Sequence, residues 1–393
     1  MHILLYCMAS VVLVILFLLH VAGVRLIRMQ KQELNDLNNA SVSWPKVALI
    51  IPVAGSDPRI PDALGSLLTQ DYPALYPILV TETASEPAAH TINALKARYP
   101  KIIHIVAGHA GLCGQKNHNL LAGVRAAKAI SPDCYVFCDS THRARPDFLK
   151  YMVAPIAAGK AVFTTGYHQI VPKDTTLISQ AYAASVLFMR LLQAVSVFTQ
   201  PWGGAMAIER KAFEQLEIAE TWSKTVVDDC ALVPLLAQKK CRVQLVANAL
   251  LTTHVENHDK AVWEAWMERQ ILFPRFCVPI QWWLLGLMLI FFFIPPIIWI
   301  EDIGITVSRG DYTLLLAPIL WCALLGALVA GLRRFLVSPP TITLWFKAFF
   351  RALLTFGQVY TGTIGAHTIR WHGKEYRVGR GGIVTEKHTK PQG

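Results

Sequence analysis

Long unbroken apolar runs near both ends of the chain enclose a middle in which short apolar runs alternate with amphipathic stretches. From Leu4 to Val24 the only interruptions are Ser10, His20 and Gly23, and a helix needs about 20 apolar residues to cross hydrocarbon. No Lys or Arg precedes this run, while Arg25, Arg28 and Lys31 follow it. A secretory signal would have a basic leader and a shorter core, so residues 1–24 read as an uncleaved anchor, with 25–43 as a linker. Residues 278–300 form a second span, with Trp282, Trp283 and Trp299 at interfacial positions and Pro295–Pro296 as a kink. A short polar loop (Glu301, Asp302, Arg309, Asp311) leads to a return crossing over 312–332, closed by Arg333 and Arg334. Positive charge beside the spans puts everything after Arg25 except that loop on the cytoplasmic side.

Two further stretches read as surface helices. Residues 262–277 carry Trp263, Trp266, Arg269 and Arg275 just before a span, the composition of an amphipathic helix lying in the interface. Residues 341–366 are apolar but hold Lys347 and Arg351 one turn apart. Such a pair is costly at the bilayer centre, so an interfacial or re-entrant helix is the better reading, with a fourth span as the alternative. Residues 367–393 form a basic cytosolic tail.

The middle, 44–261, has a different period. Apolar, β-branched runs at 47–53, 78–81, 102–106, 135–138, 162–165, 205–208 and 243–246 alternate with helical stretches at 60–69, 88–98, 116–129 and 147–157. Alternation of this kind predicts an α/β domain with a mostly parallel, Rossmann-like sheet covered by helices. Ligands on such sheets bind beyond the C-terminal ends of the strands. Neither GxGxxG nor GxxxxGK[ST] occurs, which argues against a dehydrogenase or a P-loop nucleotidase.

Composition supports the membrane reading. The chain is 53% hydrophobic and 16% charged, against about a quarter charged in ordinary soluble domains. Its net charge of +11 is concentrated beside apolar runs, favouring an anionic membrane surface or a phosphorylated substrate over nucleic acid. The eight cysteines are scattered and form no CxxC pair, so neither a zinc ribbon nor a disulfide framework is expected.

Three sets of carboxylates follow apolar strands: Glu82 and Glu86, Asp139, and the pair Asp228–Asp229. A lone acid at a strand end ordinarily caps a helix or faces solvent. Three sets around one sheet mouth read better as a ligand site. Asp139 emerges directly from a buried strand and suits Mg²⁺ or Mn²⁺ shared with a substrate diphosphate. Asp229 suits a general base taking a proton from an alcohol, with inversion at the anomeric carbon if the group transferred is a sugar. Asp228 is expected to face elsewhere. The Gly-rich turn that begins at Gly108 enters the helical stretch 116–129, where Lys116 and Asn119 add a charge and an amide for an anion at the helix start. His168 lies within reach of the same mouth, a packing role being the alternative. His254 and His258 have metal-ligand spacing on a helix, but no third ligand is evident.

Taken in order, these segments resemble ceramide glucosyltransferases and their bacterial relatives, membrane glycosyltransferases of the family 21 and family 2 type with a GT-A fold. The likeness runs from about Val47 to Gly382. It includes the first strand and Asp57-Pro58, Lys116-x-x-Asn119-Leu120, Cys138-Asp139-Ser140, Asp228-Asp229, Arg269, and the closing Trp371–Gly373–Tyr376–Gly381-Gly382 segment. The resemblance implies a UDP-sugar donor, most simply UDP-glucose, a divalent metal at Asp139, Asp229 as base, and a lipid acceptor such as ceramide. With the residue reading of His168, it leads us to expect substrate contacts from Glu86, Lys116, Asn119, His168, Asp228, Arg269 and Arg275. Three departures stand out. Glu86 replaces an aspartate, Thr141-His142 follow Asp139-Ser140 where glycine is usual, and Leu272-Phe273 replace the Arg-Trp of an Arg-x-x-Arg-Trp motif, with Arg275 as a substitute charge. The expected setting is an integral membrane protein with its catalytic domain in the cytoplasm, in a bacterial inner membrane or in a Golgi or ER membrane. The alternatives are a processive polysaccharide synthase and a non-catalytic nucleotide-binding membrane protein.

Overall fold

The computed structural model describes residues 2–39, 43–309 and 312–389. The seven apolar runs of the middle become β1 (Val47–Pro52), β2 (Leu75–Thr81), β3 (Ile103–Val106), β4 (Cys134–Cys138), β5 (Phe163–Pro172), β6 (Ala205–Glu209) and β7 (Gln244–Val255). They form one sheet in the order β3-β2-β1-β4-β6-β5-β7, in which β6 alone runs against its neighbours. β1 is buried on both faces, as expected of a central parallel strand. Val47, Leu49 and Ile51 face one layer of helices, while Ala48 and Ile50 face the other.

The helices are α1 (His2–Asn39), α2 (Ile60–Leu68), α3 (Pro87–Arg98), α4 (Gln115–Ala127), α5 (Phe148–Ala157), α6 (Leu177–Gln193), α7 (Arg210–Gln215), α8 (Ile218–Trp222), α9 (Leu232–Gln238), α10 (Lys260–Cys277), α11 (Pro279–Arg309), α12 (Leu316–Leu332) and α13 (Ile342–Thr363). α2, α3 and α5 cover the first face of the sheet; α4 and α7–α9 cover the second. A third apolar cluster joins α1, α6 and α10–α13 to the outer strands β5 and β7, so the sheet's far edge is built into the helices of the membrane region.

Among the described residues three helices are long and apolar enough to cross a membrane, within Leu4–Asn38, Pro279–Ile300 and Leu316–Phe335. Exposed Ile280, Trp283, Ile290, Ile297, Ile319 and Leu320 suit contact with lipid tails. α13 buries Trp345, Ala348, Phe349 and Ala352 and leaves Lys347 exposed, while Arg351 lies 3.8 Å from Glu264 on α10. α11 runs as a helix through Glu301 and Asp302 to Arg309, where a polar loop is expected from sequence; Asp311 lies outside the described residues.

Two expected segments take a different form. The stretch read as a linker is helical from Arg25 to Asn39, because α1 continues onto β7. There Glu33 accepts 2.8 Å hydrogen bonds from the backbone N–H groups of Ala247 and Asn248, and Gln30 exchanges bonds with the same two residues. The basic tail folds into an antiparallel sheet of β8 (Thr368–Trp371), β9 (Lys374–Val378) and β10 (Val384–Thr389). Ile369, Tyr376, Val378 and Val384 share a small core with Leu272, Phe276 and the strip Val226–Ala231.

Candidate active site

Strand polarity gathers the candidate groups. β1, β2 and β4 end at one edge of the sheet, and β6, running the other way, begins there with Cys138 paired to Ala205. Asp139 leaves β4 at that edge, its N–H donating to the Gly204 carbonyl at 3.2 Å. From the second helical layer α4 points its first turn at the same place. Gly114 caps α4 and packs so tightly that a Cβ would collide with the Val226 carbonyl. Its N–H donates to Thr225 O at 2.9 Å. Asn117, fully buried, donates to Thr225 O at 2.9 Å and to Val227 O at 3.2 Å. These bonds fix the Asp228–Asp229 strip against the start of α4.

At the centre lies the Lys116 ammonium. It is 2.7 Å from Asp139 Oδ1 and 2.9 Å from Asp228 Oδ2, and it donates to Gly203 O at 3.2 Å. Burial alone would lower its pKa; Asp139, Asp228 and Asp229 more than offset this and hold it protonated. Asp228 does not face elsewhere, as the sequence suggested: it is turned inward and buried. Burial pushes its carboxyl up to about 7, with Lys116 opposing the rise and Asp229 and Asp139 adding to it. Asp229, half-buried, accepts from Gly203 N at 2.8 Å through Oδ2 and from Cys230 N through Oδ1. Three carboxylates around one ammonium leave a formal charge of −2 when all are ionised.

Imidazoles form one wall. His168 is buried and stacks on Trp202 at 4.7 Å with an interplanar angle of 4°, and its ring lies 4.8 Å from that of His142. Burial, then His142, lowers the His168 pKa well below the usual histidine value, and burial lowers His142 to about 4. Both rings are therefore neutral at physiological pH.

At the β2 end, Glu86 caps α3 and accepts from Glu82 N at 2.8 Å; burial raises its pKa. Glu82 lies 2.6 Å from His109 Nδ1 and pairs with the buried Lys374 of the tail sheet. Burial pushes the Glu82 pKa up, but Lys374 and His109 outweigh it and leave the carboxyl below its usual range. Asn119 is buried and accepts from Gln115 at 2.9 Å, so it shapes the Gly-rich loop from behind.

The two arginines diverge. Arg269, on α10, donates to Ala265 O at 3.0 Å and lies within electrostatic reach of His372, on the turn between β8 and β9, which also senses Lys374, Asp139 and Lys116. Arg275 is not brought to the carboxylates. Its guanidinium donates to Thr363 O at the end of α13 and lies over Phe276 and Trp282. Leu272 and Phe273, the departures from the motif, pack instead on the tail sheet, Phe273 edge-on to Trp371 at 6.0 Å. His254 lies on β7 rather than a helix, and His258 stacks on Tyr182 at 4.8 Å, so their spacing makes no metal pair.

Gly203, Asn117 and Lys374 join the site unannounced by local pattern. Only the tandem Gly203-Gly204 carried a local signal, and that was of close packing rather than chemistry. A surface cavity of about 460 Å³ lined by Pro45, Asp133, Val162 and Glu209 lies at the opposite end of the strands and contains none of the candidate residues.

Among the described residues no three His, Cys, Asp or Glu side chains form a metal cluster. The carboxylate-rich surroundings of Asp139 nevertheless fit a hard divalent cation that takes its remaining ligands from a diphosphate.

A family model described as glycosyl transferase family 21 matches residues 7–384. No curated protein matches the sequence. Among solved structures, the fold is similar to that of the mannosyltransferase PcManGT from Pyrobaculum calidifontis in complex with GDP-Man and Mn²⁺. That likeness has a TM-score of 0.51 at 15% identity, over 89% of this chain and 99% of the other. A weaker likeness joins it to the glucosyl-3-phosphoglycerate synthase of M. tuberculosis, with a TM-score of 0.34 and 15% identity over 59% and 80% of the two chains.

Proposed function

The chain belongs to glycosyl transferase family 21, and we propose that it is an inverting enzyme that moves glucose from UDP-glucose to the hydroxyl of a membrane lipid such as ceramide. That it is a glycosyltransferase of GT-A type follows from the family and the fold; donor, acceptor and metal are the proposal. The observation that carries it is the Lys116 ammonium held between Asp139 and Asp228 with Asp229 alongside. One cluster thus offers both a carboxylate seat for a cation that meets a diphosphate and a separate carboxylate for an alcohol.

Asp229 is the base in this reading. The N–H groups of Gly203 and Cys230 fix its carboxylate, so its free lone pairs are aimed without further ordering. The acceptor hydroxyl gives its proton to Asp229 as its oxygen attacks the anomeric carbon from the side opposite the departing diphosphate, and inversion follows. Lys116 holds positive charge where negative charge grows. Asp139 would hold a Mg²⁺ or Mn²⁺ ion, which supplies further neutralisation of the leaving group when bound. Glu82, Glu86 and the tail sheet border the nucleotide end, and Arg269 and His372 lie toward the phosphates. The neighbouring α6, α10 and α13 bring the lipid to the cleft from the bilayer surface. Arg25, Arg28, Lys31, Arg333 and Arg334 put the catalytic domain in the cytoplasm.

Mass spectrometry of lipids from cells expressing the chain tests this directly. A lipid heavier by one hexose is expected, absent with Asp139→Ala. Identical lipid profiles from the two strains, at equal protein levels, would overturn the assignment.

A further inference from the structure

We propose that His142 is a metal ligand, its Nε2 completing with Asp139 a mixed nitrogen–oxygen site for the divalent cation. This rests on the reading above that Asp139 holds the metal. Lys116 engages Oδ1 of Asp139 at 2.7 Å, while Oδ2 faces Nε2 of His142 at 3.9 Å, the Asp139 side chain being 32% exposed. Two ligand atoms each about 2.1 Å from one ion can stand no more than about 4.2 Å apart, so this pair needs only a small approach to share a cation.

The ring is built for such a role. Its Nδ1 lies 2.6 Å from the buried Thr253 Oγ1, and His168 and Trp202 pack against it at 4.8 and 5.5 Å. A ligating imidazole ordinarily donates its second N–H to a partner that fixes tautomer and orientation, and Thr253 is that partner. The loop itself is pinned, because Arg143 and Thr252 exchange two 2.8 Å backbone hydrogen bonds. Among the described residues Nε2 has no other hydrogen-bond partner. Thr141-His142, which stand where glycine is usual, thus bring an imidazole to the edge of Asp139. Nitrogen ligation favours Mn²⁺ over the harder Mg²⁺.

The test is Mn²⁺ binding to the full-length protein in lipid nanodiscs with UDP, read by electron paramagnetic resonance. Pulsed spectra of the wild type should show a directly bound ¹⁴N that becomes ¹⁵N on histidine labelling. His142→Ala should lose that coupling and weaken Mn²⁺ on the order of ten-fold or more. His142→Asp, which restores an oxygen donor, should bind Mn²⁺ without nitrogen coupling and shift preference toward Mg²⁺. Thr253→Val, which leaves the imidazole in place but removes its orienting partner, should weaken Mn²⁺ less than His142→Ala. A wild type without bound nitrogen, or a coupling that survives in His142→Asp, would overturn the proposal while leaving Asp139 intact. Unchanged Mn²⁺ affinity in Asp139→Ala would instead overturn the metal reading from which it starts.

Discussion

Gly203 touches Asp229, Lys116 and Asp228 with no side chain of its own. Its N–H holds Asp229, its carbonyl accepts from Lys116, and a Cβ would strike both carboxylate oxygens of Asp228. Gly203→Ala must therefore displace Asp228 or the backbone that aims Asp229. Displacements near 1 Å cost roughly 10²-fold in rate, while a single overpacked methyl costs about 1–3 kcal/mol of stability. The expected outcome is a folded protein with turnover down about 10²-fold, checked by steady-state assay alongside thermal unfolding. An alanine variant with wild-type turnover would remove Gly203 from the machinery. The Asp139 and Asp229 candidates were legible in sequence because each leaves an apolar segment at the sheet's mouth. Asp228 was misread because neighbouring residues usually diverge, whereas a buried ammonium 112 positions away in the chain draws it in.

At the scale of elements, the tail sheet closes over the start of α4 and the strip Val226–Ala231. Val226 donates to Gly382 O and Val384 to Lys224 O, each at 2.9 Å; Tyr376 accepts from Gln115 N, and Lys387 donates to Ala110 O at 2.8 Å. Its one buried ion pair is Lys374–Glu82 among the described residues of that sheet. The Glu82 pKa is depressed in the fold, so the pair's contribution is present above the ordinary glutamate value and is lost as pH falls through the lower folded value. Lys374→Met is expected to loosen the tail by about 2 kcal/mol at pH 7, a difference that closes as pH falls through the depressed Glu82 value. Hydrogen exchange over residues 368–389 reads this; a gap independent of pH would mean that the pair does not hold the tail. The sheet was not legible as strands because its holding contacts lie in other parts of the chain, and its basic side chains resemble a solvated tail. The same holds for 25–39, helical because Glu33 and Gln30 serve the backbone of β7. β1, β2 and β4 were legible because burial on both faces writes a continuous apolar run into the sequence, whereas β5 and β7 outrun the expected strands by pairing with each other from Tyr167–Leu250 to Pro172–Val255.

For the whole molecule, the decisive feature is one apolar cluster that fuses the outer strands of the catalytic sheet to α1, α6 and α10–α13. The cleft is thereby held at a fixed height relative to the candidate spans, as the proposed transfer to the hydroxyl of a lipid in the bilayer requires. Such an arrangement separates donor binding from proton removal. The full-length enzyme in nanodiscs containing ceramide therefore offers the most direct measurement: UDP-glucose affinity and glucosyl transfer, compared between wild type and Asp229→Asn. Affinity is expected to change by no more than about three-fold, while transfer falls at least 10²-fold, roughly the loss that follows removal of a general base. Transfer at the wild-type rate by Asp229→Asn would contradict the account.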